Sequence, residues 1–286
     1  MQRYVYTFDC LSDFLSVADI PMPHNAANKS AWDPDASDWH GAGRAAAFDM
    51  ARHGWPEGRA NMVEAMAQAR PSVALAPAFV MDVAGAYPIP ALAAAGDPCS
   101  MVMPDPIETA AKPIVRLAVN VWASCAYKPE EFTAYGAAVL SYVDAIEAGG
   151  FRVELTMLCH CKVDRGPSAS YTASVIVKRA EDHLDIDRLT FCITHVAMLR
   201  RVFFGHMQIA EGVAGLMTYC GHPRNPEEED VEKGQIVVPG INTISPGSKH
   251  LGSPAACAEH ISETMRSILS SANVNLPELA FGGGSK

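Results

Sequence analysis

The sequence predicts an α/β fold: a three-layer sandwich on a mostly parallel sheet with one antiparallel hairpin strand, preceded by a helical, proline-rich N-terminal region. Three observations predict it. Residues 114–122 (Ile-Val-Arg-Leu-Ala-Val-Asn-Val-Trp) form a near-continuous β-rich apolar run, the texture of a strand buried on both faces of a parallel sheet. A long amphipathic segment follows. Two period-two segments, 151–160 and 171–178, then flank the short link Asp164-Arg-Gly-Pro-Ser168 and read as an antiparallel hairpin.

Residues 1–70 read as a helical region. Asp9 to Leu15 suggests a short helix, and Gly41 to Arg52 and Ala60 to Ala69 suggest two more around a break at Gly54-Trp55-Pro56. Pro71 ends the last through its missing N–H and fixed φ. Between Pro71 and Pro113 lie eight prolines and few charges, so residues 71–113 read as a wrap or linker without a long regular element, lying on a surface or reaching a neighbouring subunit.

The α/β domain is expected over 114–273. Pro129 suits a first helical position, with Glu130 and Glu131 opposing the positive end of the helix dipole. Phe132, Tyr135, Val139, Tyr142, Val143 and Ile146 recur at helical spacing, and Gly149-Gly150 stops the helix. After the hairpin, Asp185 or Asp187 caps a helix with the buried stripe Leu189, Cys192, Ile193, Val196, Leu199 and Phe203. Strands are expected at 213–220 and 235–239. Ser253 and Pro254 open a last helix facing inward through Cys257, Ile261, Met265, Ile268 and Leu269. Residues 274–286 read as a flexible tail by composition.

This order of strand, helix, strand, hairpin partner, helix, strand, strand and helix resembles the von Willebrand factor A fold, a Rossmann-like sandwich, over about residues 114–272. Trp39-His-Gly41, Gly54-Trp-Pro-Glu-Gly58, Asp82-Val-Ala-Gly85, Gly136-Ala-Ala-Val-Leu140, Gly150-Phe-Arg-Val-Glu154 and His195-Val-Ala-Met-Leu-Arg-Arg201 are also similar to a group of tailed-bacteriophage proteins of unassigned function. The von Willebrand resemblance implies a divalent-metal loop, Asp-x-Ser-x-Ser, after the first strand. Here that loop reads Asn120-Val-Trp122-Ala-Ser124, so Asn120 replaces the acid, Trp122 the first serine, and Ser124 alone matches. Hard cations need several oxygen ligands in near-octahedral array, so the site is expected to be degenerate and no cofactor to be required.

Other chemistry is possible in principle. Cys159, Cys161, Cys220 and His222 are an alternative zinc set, although their spacing fits no finger or ribbon, and Cys159 and Cys161 share a strand face with Phe151, Val153 and Leu155. Cys192 and His195 stand three apart on one expected helix, a poor place for a nucleophile. Arg200 and Arg201, with Trp122, are the candidate partner-binding residues, because a planar guanidinium fork recognises carboxylates. Glu227 to Asp230 reads as a solvated acidic loop.

A net charge of −10 argues against a nucleic-acid partner, which needs a local excess of Lys and Arg. No apolar run reaches membrane-spanning length, and Met1 to Leu15 lacks the order of a signal peptide, so the host cytoplasm or a virion is the expected location. The reading that unites these points is a non-enzymatic protein-binding or assembly protein, phage-encoded by resemblance, engaging a protein partner or itself. The alternatives are a virion structural component and a zinc- or thiol-dependent hydrolase or transferase.

Overall fold

Period-two alternation in the strands becomes a sheet with two unlike faces. The computed structural model describes residues 2–21, 30–32, 39–69, 71–72, 79–85, 87–104, 113–163, 169–214, 222–271 and 280–281. The chain opens with β1 (Gln2–Phe8), α1 (Leu11–Ala18), α2 (Arg44–His53) and α3 (Pro56–Ala69). Short elements follow: β2 (Pro71–Ser72), β3 (Phe79–Asp82), β4 (Tyr87–Pro88), α4 (Pro90–Ala94) and β5 (Met101–Pro104). The central run is β6 (Ile114–Asn120), α5 (Pro129–Ala148), β7 (Arg152–Lys162), β8 (Ala169–Lys178), α6 (Ile186–Thr194) and α7 (Phe204–Ile209). The chain closes with β9 (His222–Pro223), β10 (Ile236–Val238), α8 (Pro254–Ser271) and β11 (Ala280–Phe281).

The fold is mixed α/β with a mostly parallel central sheet, consistent with a Rossmann-like arrangement. Strand order is β1-β8-β7-β6-β10, with β9 against β7. β1 runs parallel to β8, and β6 parallel to both β7 and β10, while β7 and β8 form the expected antiparallel hairpin.

On one face the register sets Cys161 beside Tyr171, Cys159 beside Ala173 and Met157 beside Val175. Tyr4, Tyr6 and Phe8 extend this face on β1, and Val115, Leu117 and Val119 on β6. These side chains join a single apolar core with the helices. The other face carries Thr156, His160, Ser170, Thr172 and Asn120; Leu158 and Ala118 are buried on it yet lie outside the core cluster. Residues 222–235 lie against this polar face, through Arg224, Asp230 and Gln235.

α5 packs on β7, and α3, α6 and α8 close around the other sides of α5, so that it is buried at nearly every position from Glu131 to Ile146. Three expectations are corrected. The central sheet is not confined to residues 114–273, because β1 pairs with β8 along its whole length and the rings of Phe8, Phe14 and Phe203 pack in series. The helix expected through Phe203 breaks at His195, which takes an extended ψ of 120° and accepts the Ala197 N–H on Nδ1 at 3.1 Å. A π-helical stretch, Met198–Phe203, follows, and all six of its residues are buried. At the tail, Ala280 and Phe281 pair antiparallel with Ser72 and Pro71; residues 282–286 lie outside the described residues. Of the strand expected over 213–220, Val213 and Ala214 form a turn and the remainder lies outside the described residues.

Gly136 marks the tightest helix contact. A Cβ there would stand 1.9 Å from Thr194 Cγ2 on α6. Glycine to alanine in a helix interior ordinarily stabilises by about 1 kcal/mol; here Gly136→Ala is expected to destabilise by about 1–3 kcal/mol through overpacking. Adding Thr194→Ser removes the opposing methyl while keeping the hydroxyl bond to Thr190 O. Urea unfolding of the single and double variants should show loss and then recovery.

Candidate functional site

Asn120 ends β6 and is fully buried. Its Oδ1 accepts the N–H groups of Trp122 (3.2 Å) and His160 (3.3 Å), and its Nδ2 donates to Arg224 O at 2.9 Å. The carboxamide thus joins three backbone segments. Ser124 Oγ accepts the Ala126 N–H, forming a turn before α5. Trp122 is buried with its ring centroid 6.0 Å from that of Phe204.

The three described residues of the zinc set do not share one face of the sheet. Cys159 and Cys161 are buried on the helix-facing side of β7. His222 pairs with Lys162 and so projects from the opposite side. Cys220 lies outside the described residues, and among those described no three His, Cys, Asp or Glu side chains group to hold a metal. Burial pushes the Cys192 thiol up to about 12 and the His195 imidazole down to about 4, the reverse of an activated thiolate and its base.

Arg200 and Arg201 are also interior. Arg200 donates to Trp39 O and lies over the Trp39 ring at 4.7 Å; Arg201 is fully buried and donates from Nε to Ala42 O at 2.9 Å. They fasten the turn at 39–42 to the core, and neither they nor Trp122 offer a partner surface. Helical periodicity alone points only one of two consecutive arginines inward; the wider π turn admits both.

What the structure does assemble lies on the polar face of the sheet. His160, 1% exposed, shares a 2.8 Å hydrogen bond between Nδ1 and Thr172 Oγ1, and its Nε2 stands 3.7 Å from Asp230 Oδ2. Asp230 Oδ2 also accepts the Glu227 N–H at 2.9 Å, and Arg3 reaches Glu227, Glu229 and Asp230 together. Burial lowers the His160 pKa, and the Asp230 charge partly opposes this. Hydroxyl, imidazole and carboxylate are the atom types of a nucleophilic relay. Here all three are sealed under residues 222–235, so the arrangement clamps that segment and presents no nucleophile. The acidic run expected to be solvated is divided: Glu227 and Glu229 are open, while Asp230 is inside.

A second feature lies within the segment expected to be a wrap or linker. β3, β5 and β4 form a separate antiparallel sheet, pairing Asp82 with Met101 and Tyr87 with Val102. Its strands make their main contacts with one another, and no residue of α4 is buried. Met81 is 55% exposed, Val83 67% and Tyr87 51%. Gly85 allows the close approach, since a Cβ there would meet Val102 O at 2.4 Å. From 79 to 104 the only charged residues are Asp82 and Asp97. Low charge was visible in the sequence; the pairing that makes an arm of it was not, because the prolines argue against strands.

A family model described as a domain of unknown function (DUF7192) matches residues 2–269. The match runs from β1 to within α8. No curated protein and no solved structure matches the chain.

Proposed function

From a chain that belongs to the DUF7192 family, a domain of unknown function, we propose a non-enzymatic assembly protein that associates with copies of itself through the arm at 79–104. The carrying observation is that arm: an apolar sheet with Met81, Val83 and Tyr87 open to solvent. Clustered apolar exposure of this kind marks interaction surfaces. A second copy is the occupant because β3 and β4 are both outer strands of the arm, so one chain supplies both halves of a strand-to-strand contact.

The strand order β8-β7-β6-β10 and the antiparallel hairpin support reading this part of the sheet as von Willebrand A-like. Asn120, engaged with three backbone groups, supports reading its metal loop as degenerate. The phage-type motifs support a virion role as one setting for such assembly.

Sedimentation of the full chain tests the proposal. Concentration-dependent association is expected, and the double variant Met81→Asp, Tyr87→Asp should shift it to monomer while leaving the far-ultraviolet spectrum unchanged. Identical sedimentation of both proteins would remove the arm from the account.

A further inference from the structure

A cavity of about 250 Å³ lies between α1, α2 and α6, away from the arm and from the His160 cluster. Leu11, Leu15 and Ala51 line it with apolar surface, and Ser12, Arg52 and Arg188 supply polar groups. Its position follows from topology. α1 comes directly after β1 and α6 after β8, and these two strands are neighbours and parallel. Open α/β sheets bind ligands beyond the carboxyl ends of such strands. Ser12 is the second residue of α1 and Arg188 the third of α6, so two helix starts, whose dipoles favour negative charge, border the cavity.

The two guanidiniums can be spared for a ligand. Arg52 pairs with Asp19, which is also held by Arg44 at 3.6 Å. Arg188 meets Asp185 only through Nε at 3.8 Å, while Asp185 Oδ1 already accepts the Arg188 backbone N–H at 3.1 Å as the cap of α6. Pairs as exposed as these hold weakly. The Ser12 hydroxyl makes no hydrogen bond among the described residues.

We propose that this cavity binds a phosphoryl group, held by the forks of Arg52 and Arg188 and by Ser12 Oγ. Two guanidiniums carried by different helices line the cavity, and two such forks can be met by the several oxygens of a tetrahedral dianion more readily than by the two coplanar oxygens of one carboxylate. The apolar lining gives room for the carbon of a phosphate monoester. The ligand is thus inorganic phosphate or a small monoester, with the phosphoryl group recognised in either case.

Nuclear magnetic resonance titration of the full chain at low salt, with inorganic phosphate in one arm and phenyl phosphate in the other, tests this. Saturable shifts at the Ser12 and Arg188 amides are expected. Tighter binding of phenyl phosphate assigns a monoester, and equal or tighter binding of phosphate assigns the free ion. Arg52→Gln and Arg188→Gln should each weaken binding about tenfold, the loss of one charge-assisted contact. Arg116→Gln, on an exposed arginine of β6, should leave binding unchanged. Absence of saturable shifts with both ligands, or equal weakening by Arg116→Gln, would overturn the proposal.

Discussion

Lowering the pH from 7 to 4 is expected to cost the fold about 3 kcal/mol for each of His195 and His206, since one unit of pKa difference is worth about 1.4 kcal/mol. Burial holds both imidazoles at about 4 against an ordinary 6.5. His206 shares a 2.6 Å bond with the Tyr171 hydroxyl and is ringed by Tyr6, Phe8 and Phe14; His195 packs on Trp55 and Phe191. None of these neighbours is a carboxylate that would stabilise an imidazolium. Between pH 6.5 and 4 the unfolded chain binds protons that the folded chain refuses, so stability falls as pH falls through that window and is unaffected by these groups above it. The combined loss is a large part of a typical domain's stability. Denaturant unfolding at pH 7, 5.5 and 4 should show the decline, and His206→Leu should make it shallower. An equal slope in that variant would mean that His206 is accessible to protons in the fold.

Glu147→Ala is expected to cost about 3 kcal/mol, the lower end for removing one partner of a buried ion pair. Lys178 is 2% exposed, and its ammonium meets Glu147 Oε1 at 2.5 Å, Val153 O at 3.0 Å and Arg179 O at 3.3 Å. Three acceptors match three N–H groups. Removing the carboxylate leaves a buried cation held by two carbonyls; Glu147 is a quarter exposed, which tempers the loss. The double variant Lys178→Met, Glu147→Leu removes charge from both sides and should unfold within about 1 kcal/mol of the parent chain. Chemical denaturation of the two variants reads the contrast. A small effect of Glu147→Ala would show that water replaces the carboxylate at Lys178.

Alternation carried much of the fold. In β7 and β8 it placed Cys159 and Cys161 on one face and His160 on the other, and the structure keeps that division. β6 misled because its run looks apolar on both sides, whereas Ile114 and Arg116 are open and only the small Ala118 and Asn120 are buried on the polar face. β1 carries the same alternation, Tyr4, Tyr6 and Phe8 against Arg3, Val5 and Thr7, but a single short segment does not announce its pairing partner. The polar cluster was half legible: His160 stood out, while Asp230 looked like any member of an acidic run until Arg3, more than two hundred residues away, came beside it. Long-range pairing of charges leaves no local pattern, and neither does a π turn such as that which buries Arg200 and Arg201.

On the proposed function, the arm at 79–104 joins one copy of the chain to another. Cys99 lies exposed on that arm, so a spin label there, in a chain carrying Cys10→Ser, Cys125→Ser and Cys220→Ser, reports the contact by pulsed dipolar spectroscopy. A defined short distance between copies, lost in the Met81→Asp, Tyr87→Asp background, is the result expected. Association of the chain without dipolar coupling at Cys99, or a monomer at every concentration, would contradict it.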